Sequence, residues 1–198
     1  MTAGVGPHVS ATGVADLIAD LAADGATVAT AESITGGRLV ASLTSVPGSS
    51  AVVRGSVVAY ATEVKTSMLG VDPVLLAEQG AVCAEVAEQM AAGVRDRLTT
   101  TYGVSTTGEA GPDSASGTPV GTVFIAVAGP QGTVARRIDG TGTREQIRRG
   151  AVEGALRLLA DVRAGGAGTQ GTGMPGAGTS GDDGPREQPR LTARSGDT

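Results

Sequence analysis

Ser33, Tyr60 and Lys65 combine residue type and placement in a way that suits nucleophilic chemistry. Ser33 lies in Ala31-Glu32-Ser33-Ile34-Thr35-Gly36-Gly37-Arg38, between a short apolar run at 26–31 and a helical pattern carrying Leu39, Val40 and Leu43. A serine hydroxyl becomes a competent nucleophile only when a base takes its proton. The single histidine, His8, sits in a Gly/Pro-flanked N-terminal segment, which argues against a Ser-His-Asp triad. The chain also has a single lysine against fourteen arginines. Arginine keeps its proton, whereas lysine can be tuned to act as a base. An unperturbed lysine is only about 0.04% neutral at pH 7, and bringing its pKa to about 7.5 takes a bias of roughly 4 kcal/mol. Burial or a neighbouring guanidinium supplies such a bias, and Glu63 turned inward would oppose it. Tyr60 either orients the proton or simply packs at a strand end.

The same turn offers an anion cradle. Thr35, Gly36 and Gly37 precede a helix whose first amides and dipole favour a negative group, and paired glycines let backbone approach a ligand. An ordinary strand–loop–helix connection explains the octapeptide equally well. Thr107 and Gly108 present a hydroxyl and amides to a developing oxyanion, or form a plain turn. Arg144 opens the last helix, where a cation meets the unfavourable end of the dipole, and this points to an anionic partner. Glu32 faces away from Ser33 if the strand continues, so it serves the scaffold or a hydrogen bond behind the site. Arg136, Arg137, Arg148 and Arg149 read as solvated surface or subunit contacts. Cys83 reads as an inert core residue.

The elements that must position these residues follow from apolar spacing. Val14, Leu17, Ile18 and Leu21 form one helix face, and Gly25 suits its stop. Strands are expected at 26–31, 49–60, 103–107, 120–128 and 133–138, the last two joined by a Gly129-Pro130-Gln131-Gly132 hairpin. Gly55 hints at a bulge or a close approach. Helices are expected from Gly36 to before Val46, at 61–69, from Pro73 to Glu78, at 84–98 and at 143–163, where Thr143 and Gln146 make a capping box. The alternation predicts a single α/β domain, a three-layer α/β/α sandwich around a mixed sheet. Residues 1–12 read as a flexible leader. Residues 164–198, rich in Gly, Pro and Thr, read as a disordered tail.

Composition excludes other classes. With 2% aromatic residues, the core must be built from Ala, Val, Leu and Ile. A net charge of −5 argues against electrostatic binding to nucleic acid or anionic membrane. The apolar runs are too short to span a bilayer and no export signal is evident, so the expected compartment is the cytoplasm. One cysteine and one histidine cannot assemble a zinc site, and no cofactor is implied.

Taken together these segments resemble the CinA C-terminal domain family, the nicotinamide-nucleotide amidases of the PncC type. Residues 31–37 resemble its AES-C-TGG signature. Val46-Pro47-Gly48-Ser49-Ser50, Gly55 to Tyr60, Leu69-Gly70-Val71, Gly80-Ala81-Val82, Thr107 to Pro112 and Pro119 to Val123 follow in order, so the likeness covers about residues 14–162. It implies a homodimer or higher oligomer, a small-molecule nucleotide substrate, and hydrolysis of the carboxamide of nicotinamide mononucleotide to nicotinate mononucleotide and ammonia. It maps the family's serine onto Ser33, tyrosine onto Tyr60, lysine onto Lys65, threonine onto Thr107 and late arginine onto Arg144. Ile34 replaces a common cysteine, Thr62 a frequent asparagine on the substrate side, and Thr143 a frequent aspartate. The molybdopterin-binding-like domain of longer members has no counterpart here, so activities tied to it are not expected. The alternatives are a non-catalytic pyridine-nucleotide-binding module of a competence or repair assembly, and an amidase for another small amide.

Overall fold

A computed structural model describes residues 11–114 and 117–167. Five strands, β1 (Val28–Glu32), β2 (Val53–Val58), β3 (Tyr102–Gly108), β4 (Thr122–Gly129) and β5 (Gly132–Asp139), form one sheet in the order β2-β1-β3-β4-β5. β1 runs parallel to β2 and β3, whereas β4 and β5 are antiparallel additions, so the sheet is mixed. Six helices flank it: α1 (Ala11–Ala23), α2 (Arg38–Thr44), α3 (Thr62–Leu69), α4 (Pro73–Gln79), α5 (Ala84–Arg97) and α6 (Arg144–Ala167).

The two faces of the sheet carry separate cores. Val28, Val104, Ile125 and Val127 point towards α1, α2 and α6 and pack with Leu17, Leu21, Leu43, Leu158 and Leu159. Ala29, Ala31 and Ala59 point the other way and pack with Leu69, Val86, Met90 and Val94 of α3 and α5. These small strand residues let α5 lie close to the sheet. Helices on both faces of a mixed sheet give the three layers expected from the alternation of patterns.

Several local expectations hold in detail. Asp72 caps α4 by accepting from the Val74 amide at 2.8 Å, with Pro73 at the first helical position. The Thr143–Gln146 box closes in both directions, at 2.7 and 3.3 Å. Gly55 follows a register shift that leaves Arg54 unpaired against β1, which is the bulge. The strand expected at 49–60 is shorter, because Ser49–Ala51 forms a turn of 3-10 helix before β2. The last helix is longer than expected and reaches Ala167, while the remainder of the expected tail and residues 1–10 of the leader lie outside the described residues. Among the described residues no helix is long and apolar enough to cross a membrane.

Two placements matter for chemistry. First, β1 lies inside the sheet, with β2 on one side and β3 on the other, so the region beyond its carboxyl end is a switch point of the kind where ligands gather in open α/β sheets. Second, α3 is pressed against α5 at Gly93, where a Cβ would lie 1.9 Å from the Leu69 carbonyl oxygen. Only a residue without a side chain permits that crossing, and the crossing fixes the helix that carries Lys65.

Candidate active site

Ser33 stands at the carboxyl end of β1. Its N–H donates to the Thr106 carbonyl at 2.9 Å, continuing the parallel ladder by one residue. Strand alternation therefore sends its side chain to the α3/α5 face, with Ala31. On that face the Lys65 Nζ lies 3.1 Å from Ser33 Oγ and donates to the Ala59 carbonyl at 2.7 Å. Lys65 is 1% exposed. Burial pulls its pKa down to about 8, with the Glu63 carboxylate opposing the shift. The depression comes from desolvation, not from a neighbouring guanidinium, and at pH 7 about a tenth of the molecules hold a neutral amine.

Thr107 lies beside Ser33 on β3, one residue beyond the Glu32–Thr106 pair and on the same face. Its O–H donates to the Ala81 carbonyl at 2.6 Å, and the side chain is buried. The hydroxyl proton is thus committed, and the oxygen is left to act as an acceptor. Gly108 pairs with Val123 in the ladder, and a Cβ there would meet the Thr122 carbonyl at 2.7 Å, so the glycine answers to packing.

Tyr60 is 64% exposed, and its hydroxyl accepts from Arg144 Nη2 at 3.2 Å. Arg144 Nη1 donates to the Gly111 carbonyl at 2.7 Å. Arg144 therefore bridges the end of β2 to the loop after β3. Thr62 is the exposed first residue of α3.

The sequence places the first amides of α2 around a ligand anion; in the structure the anion is Glu32. This carboxylate is fully buried and accepts from the amides of Gly37, Leu39 and Val40 at 2.9, 3.0 and 2.8 Å. The Thr35 hydroxyl also donates to it, at 2.6 Å, and accepts from Thr106 at 2.8 Å. Thr35 and Gly37 are thus engaged by the protein itself, and Gly36, at φ +58, carries the left-handed bend. Sequence reasoning gave Glu32 a scaffold role without finding its partners.

Arg148 corrects an expectation. It reads in sequence as solvated surface or a subunit contact, yet its Nε donates to the Ile34 carbonyl at 2.9 Å and its Nη2 to the Thr35 carbonyl at 2.8 Å. Its spacing of four from Arg144 on α6 was the available signal, since i and i+4 share a helix face. Arg136 pairs with Asp161 and Arg137 with Asp139, both exposed, as a solvated surface requires. Among the described residues no cluster of His, Cys, Asp and Glu is arranged to hold a metal ion.

Residues 10–163 match the CinA C-terminal domain. The chain belongs to the CinA family. Its CinA region is 56% identical over 140 residues to a CinA-like protein of Frankia casuarinae, an alignment that covers 71% of this chain and 32% of that protein. The chain thus spans about a third of the length of the curated CinA-like relatives it matches. Among solved structures, the competence/damage inducible protein CihA from Agrobacterium tumefaciens is 36% identical with a TM-score of 0.75, covering 81% of this chain and 99% of that one. A competence-damaged protein (CinA) superfamily protein from Escherichia coli is 27% identical, also with a TM-score of 0.75, covering 82% and 94%. The α/β sandwich is therefore the fold of CinA superfamily structures.

Proposed function

We propose that the chain is an amidohydrolase that cleaves the carboxamide of nicotinamide mononucleotide, giving nicotinate mononucleotide and ammonia. The observation that carries this reading is the 3.1 Å approach of a buried Lys65 amine to Ser33 Oγ. A neutral amine there is a base already desolvated and aimed at a nucleophile.

In the reaction, Ser33 Oγ attacks the carboxamide carbon and Lys65 Nζ takes its proton. The tetrahedral intermediate collapses as Lys65 returns that proton to the departing nitrogen, which leaves as ammonia. Water then attacks the acyl ester, with Lys65 taking its proton and returning it to Ser33. The Ala59 carbonyl accepts from Nζ and holds the amine in place through both half-reactions. Thr107, with its own proton on Ala81, accepts an N–H of the carboxamide instead of donating to the oxyanion. Arg144 and Tyr60 stand where they can meet the nucleotide end of the substrate. Thr35 and Gly37 leave that role, because Glu32 occupies their donors and would repel a phosphate.

Ammonia release from nicotinamide mononucleotide, measured by a coupled assay, tests the reading. Wild type releases it in step with nicotinate mononucleotide, and Ser33→Ala loses at least about a thousandfold of the rate, as loss of an activated nucleophile does. Ligand binding without ammonia release would leave a non-catalytic nucleotide-binding module. Release from other small amides alone would keep the Ser/Lys chemistry and change the substrate.

A further inference from the structure

The turn after Ser33 contains two backbone donors that the protein does not use, and one of them adjoins the nucleophile. The amides of Gly37, Leu39 and Val40 go to Glu32, the Gly36 amide goes to the Ser33 carbonyl at 3.2 Å, and the Arg38 amide to the Thr35 carbonyl at 3.4 Å. Among the described residues no group accepts from the Ile34 N–H or from the Thr35 N–H. Ile34 itself is 5% exposed, its side chain in the core beneath α2 and α6. A backbone donor left unused in a well-satisfied turn calls for an explanation.

Its position supplies one. Ser33 ends a strand, a turn follows, and a helix follows that. When a serine so placed attacks a carbonyl, the N–H of the next residue faces the oxygen that gains charge. The peptide bearing this N–H is already polarised, because its carbonyl, that of Ser33, accepts from Gly36. The next two carbonyls, of Ile34 and Thr35, are both held by Arg148. A guanidinium is suited to this, as its rigid fork fixes two acceptors at once. Glu32 thus takes the amides on the far side of the turn and Arg148 takes the carbonyls, leaving the Ile34 and Thr35 amides unused, of which that of Ile34 directly follows the nucleophile.

We propose that the Ile34 N–H stabilises the oxyanion formed on attack by Ser33, and that Arg148 is the positioning residue that aims it. The inference rests on the amide-hydrolysis reading and adds an assignment to it. Arg148 touches no substrate; it acts through the peptide planes it holds.

The experiment compares the full-length wild type with Arg148→Met and Arg148→Lys, for kcat and KM on nicotinamide mononucleotide and for affinity towards its 3-carbaldehyde analogue. Ser33 Oγ adds to the aldehyde carbon as the carbonyl π bond opens onto oxygen, so the adduct reports on the oxyanion position. Arg148→Met is expected to lose about 10- to 100-fold in kcat with KM within about twofold, since the lost interaction belongs to the transition state. Affinity for the aldehyde falls by a similar factor, and millimolar methylguanidinium restores part of both. An unchanged kcat, or a change confined to KM, overturns the proposal. If Arg148→Met fails to melt cooperatively, Arg148→Lys decides by the same readouts, since one ammonium cannot hold both carbonyls. If wild type releases no ammonia, the amidase reading falls, and labelling of Ser33 by a fluorophosphonate decides instead. Labelling at least about tenfold slower in a folded Arg148 variant supports the assignment, and equal labelling overturns it.

Discussion

At the residue scale, the chemistry turns on one side chain whose charge state is set by burial. Lys65 is held near pKa 8 in the folded chain, against an ordinary value of 10.5. In the proposed reaction the neutral amine is the active form, so kcat/KM is expected to rise with pH along an acid limb centred near 8, and an ammonia-release profile from pH 6 to 9.5 checks it. Lys65→Arg, which cannot supply a neutral base, is expected to lose about a thousandfold or more at every pH, and its profile loses that limb. The sign of the stability linkage follows from the same shift. Between about pH 8 and 10.5 the unfolded chain binds a proton at this position and the folded chain does not, so this group's contribution to stability rises with pH through that window. The lysine was legible because it is alone: a chain that otherwise uses arginine invites the question of what its one amine does. Arg148 was hardly legible, because its spacing of four from Arg144 is the one local mark that sets it apart from Arg149, and its partners lie 114 and 113 positions away.

At the element scale, the turn from β1 into α2 is organised by a carboxylate that precedes the helix by six residues. Side-chain caps usually come from the residue before the first helical one. Here that residue is Gly37, at φ 92, and Glu32 reaches back from the strand to satisfy the orphan amides. Glu32→Gln keeps the size but places an NH2 group among donors, and leaves amides of α2 with a weaker acceptor or none. We expect it to cost about 2–4 kcal/mol in urea unfolding at pH 7, mostly as unsatisfied buried donors. The Thr143–Gln146 box was readable from four consecutive residues because its partners are sequence neighbours. The Glu32 cap was only half readable: strand alternation put the side chain on the face opposite Ser33, but the donors waiting there depend on how sharply Gly36 and Gly37 bend the chain. The boundary of β2 was misread for a similar reason, since Val52 and Val53 satisfy an apolar pattern whether the backbone is extended or in a 3-10 turn.

At the scale of the whole molecule, two halves of the chain are stitched together around one crevice. Arg144 and Arg148, late in the sequence, hold Tyr60, Gly111, Ile34 and Thr35, while Arg163 grips Asp20 and Asp24 of the first helix and its exit. The three layers followed from alternating patterns, but the order of strands did not, because parallel pairing of β1 with both β2 and β3 is set by packing between distant segments. The crossing of α3 over Gly93 is equally a tertiary fact: a lone glycine within a helical pattern says little until a backbone is found against it. That crossing has a practical corollary. An endoproteinase that cleaves only after lysine has a single possible cut in this polypeptide, in the middle of a helix clamped to its neighbour and at a side chain sealed from solvent. Digestion of the intact fold should therefore proceed only as fast as this region opens, yielding two fragments and no others, so a simple gel time course would measure how often the helix bearing Lys65 lets go.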